Sequence, residues 1–113
     1  MKKMIIGLVV LVASVASAQS FVISHESLTI ANTAVGISAA VHTVSDQKVS
    51  KCVGRLETAQ VRYWSDGTAP TASVGILLEV GDVITLNNWA TIKNFRAIRT
   101  GAVSGVLSVE CAK

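Results

Sequence analysis

From Arg62 to Leu86 the sequence RYWSDGTAPTASVGILLEVGDVITL alternates short apolar runs of period two with turn residues. Val61 and Tyr63 flank Arg62, the pattern of a strand with one dry face. Asp66-Gly67 is a turn pair, because Gly accepts positive φ and Asp can bond its own backbone. Pro70 lacks an N–H, which keeps Thr68–Ser73 out of any central strand. Ile76, Leu78 and Val80 share one face, with Leu77 and Glu79 on the other. Gly81-Asp82 turns the chain, and Ile84 and Leu86 resume the alternation opposite Thr85. Short strands so closely punctuated pack as an antiparallel sandwich or barrel.

The rest of the chain agrees with an all-β domain. Leu28 and Ile30 alternate with Ser27 and Thr29 in a first strand, after an irregular or strand-like lead-in over Ser20–Glu26. Val35, Ile37, Ala39, Val41 and Thr43 make the cleanest period-two pattern, which predicts a strand there. Ser45–Ser50 reads as a polar loop. Lys51–Trp64 contains a fault: Cys52, Leu56 and Thr58 lie on even positions, while Ala59, Val61 and Tyr63 lie on odd ones. A one-residue slip flips every side chain, so this stretch needs a bulge near Glu57–Gln60, or else it is two strands, one in each sheet. Trp89–Phe95 spaces Ile92 and Phe95 for a single helical turn. Thr100-Gly101 and Ser104-Gly105 bracket a hairpin turn, and Leu107, Val109 and Cys111 form the last strand. The expectation is a single antiparallel β-sandwich, jelly-roll-like, of about seven strands.

The amino terminus reads differently. Lys2 and Lys3 precede an apolar run over Met4–Ala16, too short for a comfortable membrane span of about 20 residues. Ala16-Ser17-Ala18 has the form of a signal-peptidase site. The expected organisation is a signal peptide over 1–18, or an apolar arm that packs on a partner subunit, followed by the β domain over 19–113. Removing 1–18 leaves eight basic against seven acidic residues, a net charge of +1. That balance gives no electrostatic footprint for nucleic acid. Membrane contact would come only through the uncleaved segment.

The chain has two cysteines, Cys52 and Cys111. In an exported protein an even count favours pairing. Both lie on the dry face of their strands, in phase with Leu56 and with Leu107 and Val109. This suits a buried disulfide if the strands are neighbours, and two inert buried thiols if they are not.

No constellation of catalytic residues stands out. His25 and His42 lack a second ligand at metal-site spacing, and His42 falls on the polar side of its strand as a solvated imidazole. No nucleophile elbow singles out a serine, the seven carboxylates are scattered, and there is no phosphate-binding glycine loop. The Gly-Asp corner after Gly75–Val80 is like that of cupin-like jelly rolls, but the histidine cluster of cupin enzymes is missing. The reading is a non-enzyme with no cofactor, no metal and no small-molecule substrate. Tyr63, Trp64 and Trp89, with Arg62, Arg96, Arg99 and Lys93 nearby, form the candidate contact patch, since aromatics and Arg dominate interface hot spots. The plain alternative for these cations is solvated strand faces or a subunit contact.

Three motifs carry a resemblance. Arg62–Thr71 (R-Y-x-x-D-G-T-x-P-T), Leu78–Asp82 (L-x-x-G-D) and Phe95–Gly101 (F-R-A-I-R-T-G), in this order and spacing, resemble small bacteriophage virion-associated β proteins. The similarity runs from Glu26 to Val109. It implies a β-sandwich virion component, such as a capsid decoration, fibre-base or tail-associated subunit, whose partners are other virion proteins or copies of itself. It implies no catalytic residue. The amino-terminal segment departs from that family. It would make the chain an exported relative, periplasmic or secreted, or else an arm retained in the particle. The alternative function is an exported β-sandwich module that binds a glycan or surface polymer through Trp64, Trp89 and nearby Arg residues.

Overall fold

A computed structural model describes residues 21–113. The expected signal peptide or arm over 1–18 lies outside the described residues. The elements are β1 (Val22–Ile30), α1 (Ala39–His42), β2 (Thr43–Val44), β3 (Gln47–Lys48), β4 (Lys51–Glu57), β5 (Val61–Trp64), β6 (Ile76–Leu78), β7 (Val83–Leu86), α2 (Trp89–Asn94), β8 (Arg96–Arg99) and β9 (Gly105–Ala112).

One sheet has the order β1-β9-β4-β7 and another β6-β5-β8, with β2 and β3 paired alone. All pairings are antiparallel. They are also nested. β1 pairs β9, Val35 bridges Ala97 of β8, β4 pairs β7 and β5 pairs β6. First meets last, second meets second-to-last, and so inward. This is a long antiparallel hairpin rolled over on itself into two facing sheets, the jelly roll. Its second strand has shrunk to one bridge at Val35, joined to β8 by Val35 N–H to the Ala97 carbonyl (2.9 Å) and Ala97 N–H to the Val35 carbonyl (2.8 Å).

The shrunken strand differs from the strand expected over Val35–Thr43. Only Val35 pairs, and Ala39–His42 forms one helical turn. Ile37 and Val41 are both buried, and being four apart they satisfy a helical repeat as well as a period of two. The Glu26 carboxylate decides between them. It accepts Ser38 N–H (2.9 Å) and Ser38 Oγ–H (2.7 Å), which ties the start of α1 to β1. The expected polar loop after it is a tight hairpin, with Ser45 and Asp46 both left-handed (φ 49° and 65°), and it buries Val49 completely.

The fault in Lys51–Trp64 resolves as two strands, one in each sheet. Thr58, left-handed at φ 79°, makes the corner between them. Val61 on β5 and Cys52 and Leu56 on β4 therefore all reach one core, with Leu28, Ile30, Phe95, Leu107, Val109 and Cys111. Gly67 and Gly81 take positive φ at the two predicted turns (91° and 92°), and Asp66 Oδ1 accepts Thr68 N–H at 3.0 Å. The hairpin expected between β8 and β9 is absent, because these strands enter different sheets. Turn residues mark a reversal of direction but do not say which sheet the chain enters next.

Candidate functional site

Cys52 and Cys111 face each other on neighbouring strands β4 and β9 and are bonded as a disulfide, with Cα atoms 4.1 Å apart. Both are almost fully buried, and Cys52 lines, with Ile37, Leu86 and Val109, a seam with no space for a water molecule. The bond ties the last strand to the middle of the chain inside the core and offers no thiol to the surface.

The candidate aromatic and arginine residues divide into separate groups. Residues directly opposite in an antiparallel pair share a face. Trp64 opposes Arg96, and Arg62 opposes both Ile98 and Leu77, so these five side chains lie on the outer face of the β6-β5-β8 sheet. Tyr63 sits between them in sequence and turns inward, stacking on Phe95 at 5.4 Å. The arginines have structural duties. Arg62 donates to the carbonyls of Gly75 (2.9 Å) and Ala72 (3.3 Å), pinning the loop before β6. Arg96 donates to the Ala34 carbonyl (3.3 Å), and Arg99 donates to Ser104 Oγ (3.4 Å).

Trp89 belongs to a different cluster. Asn88 caps α2 through Oδ1 to Thr91 N–H (2.8 Å), which sets Trp89 on the first turn. Its indole N–H donates to Thr43 Oγ1 (3.3 Å), and its ring meets the edge of His42 at 6.2 Å. His42 is accordingly half-buried and bonded to Thr43 Oγ1 (2.9 Å), where the sequence had suggested a solvated ring. The ammonium groups of Lys48 and Lys93 stand 4.3 Å and 4.9 Å from the indole centroid, within cation–π range. The β2–β3 hairpin brings Thr43 and Lys48 to this ring.

A third feature escaped the sequence reading. Two of the four sheet edges are covered. β8 exchanges backbone bonds with Val35 and donates Arg99 N–H to the Ala31 carbonyl (3.0 Å), while β1 is tied to α1 by Glu26 and by Ser24 Oγ–H to the Val41 carbonyl (2.7 Å). Among the described residues no backbone hydrogen bond covers the outer edge of β6 or of β7. These strands are consecutive and lie on the same side of the roll. Of nine exposed large apolar residues, five fall within this single stretch: Val74, Ile76, Leu77, Val80 and Val83. Alternation marks such residues as strand but cannot say that no strand lies beyond them. Charge gave no signal either, since two of the ten residues Val74–Val83, Glu79 and Asp82, are charged, against 15% for the whole chain.

The described residues also form shallow hollows. One of about 410 Å³ lies between Arg55, Glu57, Thr58, Val80 and Gly81, and one of about 250 Å³ lies between His25, Glu26, Ser108 and Glu110. The second places His25 beside Ser27 and Ser108, but among the described residues no hydrogen bond joins His25 to either serine, and the Ser108 hydroxyl donates to Glu57 Oε1 (2.8 Å). Among the described residues no three His, Cys, Asp or Glu side chains are grouped to hold a metal ion. Asp66 has a carboxyl held below the usual carboxylate range, first by the Thr68 N–H and then by the Thr68 hydroxyl, which marks a turn rather than a site. Comparison of the chain with protein families, with curated proteins and with solved structures finds no match in any of the three.

Proposed function

We propose that this chain is a non-enzymatic structural subunit that assembles into a larger particle, a bacteriophage virion component of the decoration, fibre-base or tail-associated kind. The observation that carries this reading is the open β6–β7 side. An unpaired sheet edge that exposes large apolar side chains is a template for pairing with another chain, and proteins that work alone blunt such edges. The jelly roll is a recurrent unit of virus shells, an analogy at the level of the fold that fits without deciding the function. The motifs at Arg62–Thr71, Leu78–Asp82 and Phe95–Gly101 point the same way by resemblance. The partners are copies of this chain or other virion proteins, and no cofactor, nucleic-acid sequence or small substrate is required.

The test is density-gradient fractionation of particles from the protein's own source. Peptides from residues 21–113 are expected to band with the particles at constant ratio to the other virion proteins. Their absence from the particle band would overturn the proposal.

The Trp89 cluster favours a second reading, an exported module that binds an acidic glycan or surface polymer. Lys48, Lys93 and His42 around one indole suit an anionic sugar. This reading predicts retention on an acidic polysaccharide, lost in Trp89→Ala while far-UV circular dichroism is unchanged. Retention that survives the substitution would contradict it.

A further inference from the structure

Resting on the self-assembly reading above, we infer that the occupant of the β6 edge is a second copy of this chain, paired β6 to β6 about a two-fold axis at Leu77. An isologous contact needs a surface complementary to itself. Ala72–Leu78 contains no charged residue, so an antiparallel pair centred here sets no like charges opposite each other. β6 is free on its outer side, and Val74, Ile76 and Leu77 are exposed there. Pairing would turn two three-stranded sheets into one continuous sheet, β8-β5-β6 joined to β6-β5-β8.

Charge selects the register. With Leu77 opposite its own copy, Ile76 meets Leu78 and Gly75 meets Glu79 of the second copy. Leu77 and Glu79 are two apart and share the outer face with Arg62, which pairs with Leu77 across β5. The Arg62 guanidinium already reaches over β6 to the Gly75 carbonyl at 2.9 Å. The carboxylate of Glu79 from the second copy therefore arrives beside this guanidinium. The two-fold axis produces the contact twice. Moving the axis to Leu78 puts Glu79 of the second copy opposite Leu77, away from the guanidinium. Moving it to Ile76 puts it opposite Ser73. Within one chain the Glu79 carboxylate accepts a hydrogen bond from Gln60 Nε2, and pairing exchanges this partner for the Arg62 guanidinium of the second copy.

The experiment combines sedimentation velocity with cysteine cross-linking, on full-length protein in its disulfide-bonded form. The native cysteines are paired and buried, so an added one reports alone. Wild-type protein is expected to show a concentration-dependent dimer. Leu77→Cys is expected to cross-link to its own copy under mild oxidation, as a residue on the axis must. Val53→Cys, on the outer face of the other sheet, is expected not to. Leu77→Lys is expected to abolish the dimer and Glu79→Arg to weaken it. Leu77 is exposed, so both Leu77 variants should fold, and circular dichroism checks this. A protein that associates but keeps its dimer in Leu77→Lys, or does not cross-link through Leu77→Cys, overturns the β6 pairing and leaves the particle reading standing. A wild-type chain that stays monomeric to its solubility limit overturns the pairing, and its absence from particles is what removes the wider reading.

Discussion

At Gly36 the chain passes so close to Phe95 that a Cβ would stand 2.6 Å from the Phe95 carbonyl oxygen. Backbone cannot yield as a side-chain tip does, so Gly36→Ala must push Val35 off its bridge with Ala97. We expect a loss of about 1–3 kcal/mol, read as a fall in melting temperature of roughly 4–8 °C per kcal/mol for a domain of this size. The disulfide closes a loop with a sequence separation of 59 residues, which the chain-entropy account values at about 4 kcal/mol. Urea titration of Cys52→Ala/Cys111→Ala should show a loss of about that size. An unchanged midpoint would mean that the bond constrains nothing in the unfolded chain. Asp66 gives a pH prediction. Its pKa is depressed on folding by Thr68, so its contribution is present above the unfolded value of about 3.9 and is lost as pH falls through the lower folded value. An NMR titration should place Asp66 below the ordinary aspartate range, and Thr68→Ala should raise it. At this scale the sequence was informative about phase. Cys52, Leu56, Leu107, Val109 and Cys111 were legible as core, and the pairing of the cysteines was left open only because strand adjacency is a property of the whole fold. The inward turn of Tyr63 and the half-burial of His42 were hidden for the same reason.

Among the elements, the stretch after Val35 shows where pattern reading fails. Ile37 and Val41 fit a strand and a helical turn equally, and the outcome rests on Glu26, twelve residues before Ser38. The hairpin that follows carries Ser45 and Asp46 in left-handed backbone. Such a two-residue turn prefers Asn-Gly, and an ordinary residue there costs about 1–2 kcal/mol relative to one that accepts the conformation. Replacing Ser45 and Asp46 by Asn and Gly should therefore raise thermal stability by about 1 kcal/mol or more and leave association unchanged. A fall in melting temperature would show that the native side chains hold the turn in another way. The helical turn at Trp89–Asn94 was legible because Ile92 and Phe95 are three apart, while the cap at Asn88 was not singled out in the sequence. The split of Lys51–Trp64 into two strands was legible as one of two solutions, because a slip of phase has few physical remedies.

For the whole molecule, the rolled hairpin explains which edges need protection. Val35 and Ala31 cover β8 and α1 covers β1, while β6 and β7 remain open on one side and carry Ile76, Leu77, Val80 and Val83. The all-β class and the jelly-roll-like sandwich could be read from turn spacing and alternation. The open side could not, since exposure follows from strand order, and order comes from contacts distant in sequence. If the protein assembles as proposed, that side is the surface it uses. Amide hydrogen exchange, compared between dilute protein and protein in its assembled state, tests this most directly. Protection gained within Gly75–Val83, with Lys48 and the Trp89 turn unchanged, is the predicted result. Equal exchange of Gly75–Val83 in both states, with protection appearing instead around Lys48, Trp89 and Lys93, would contradict it.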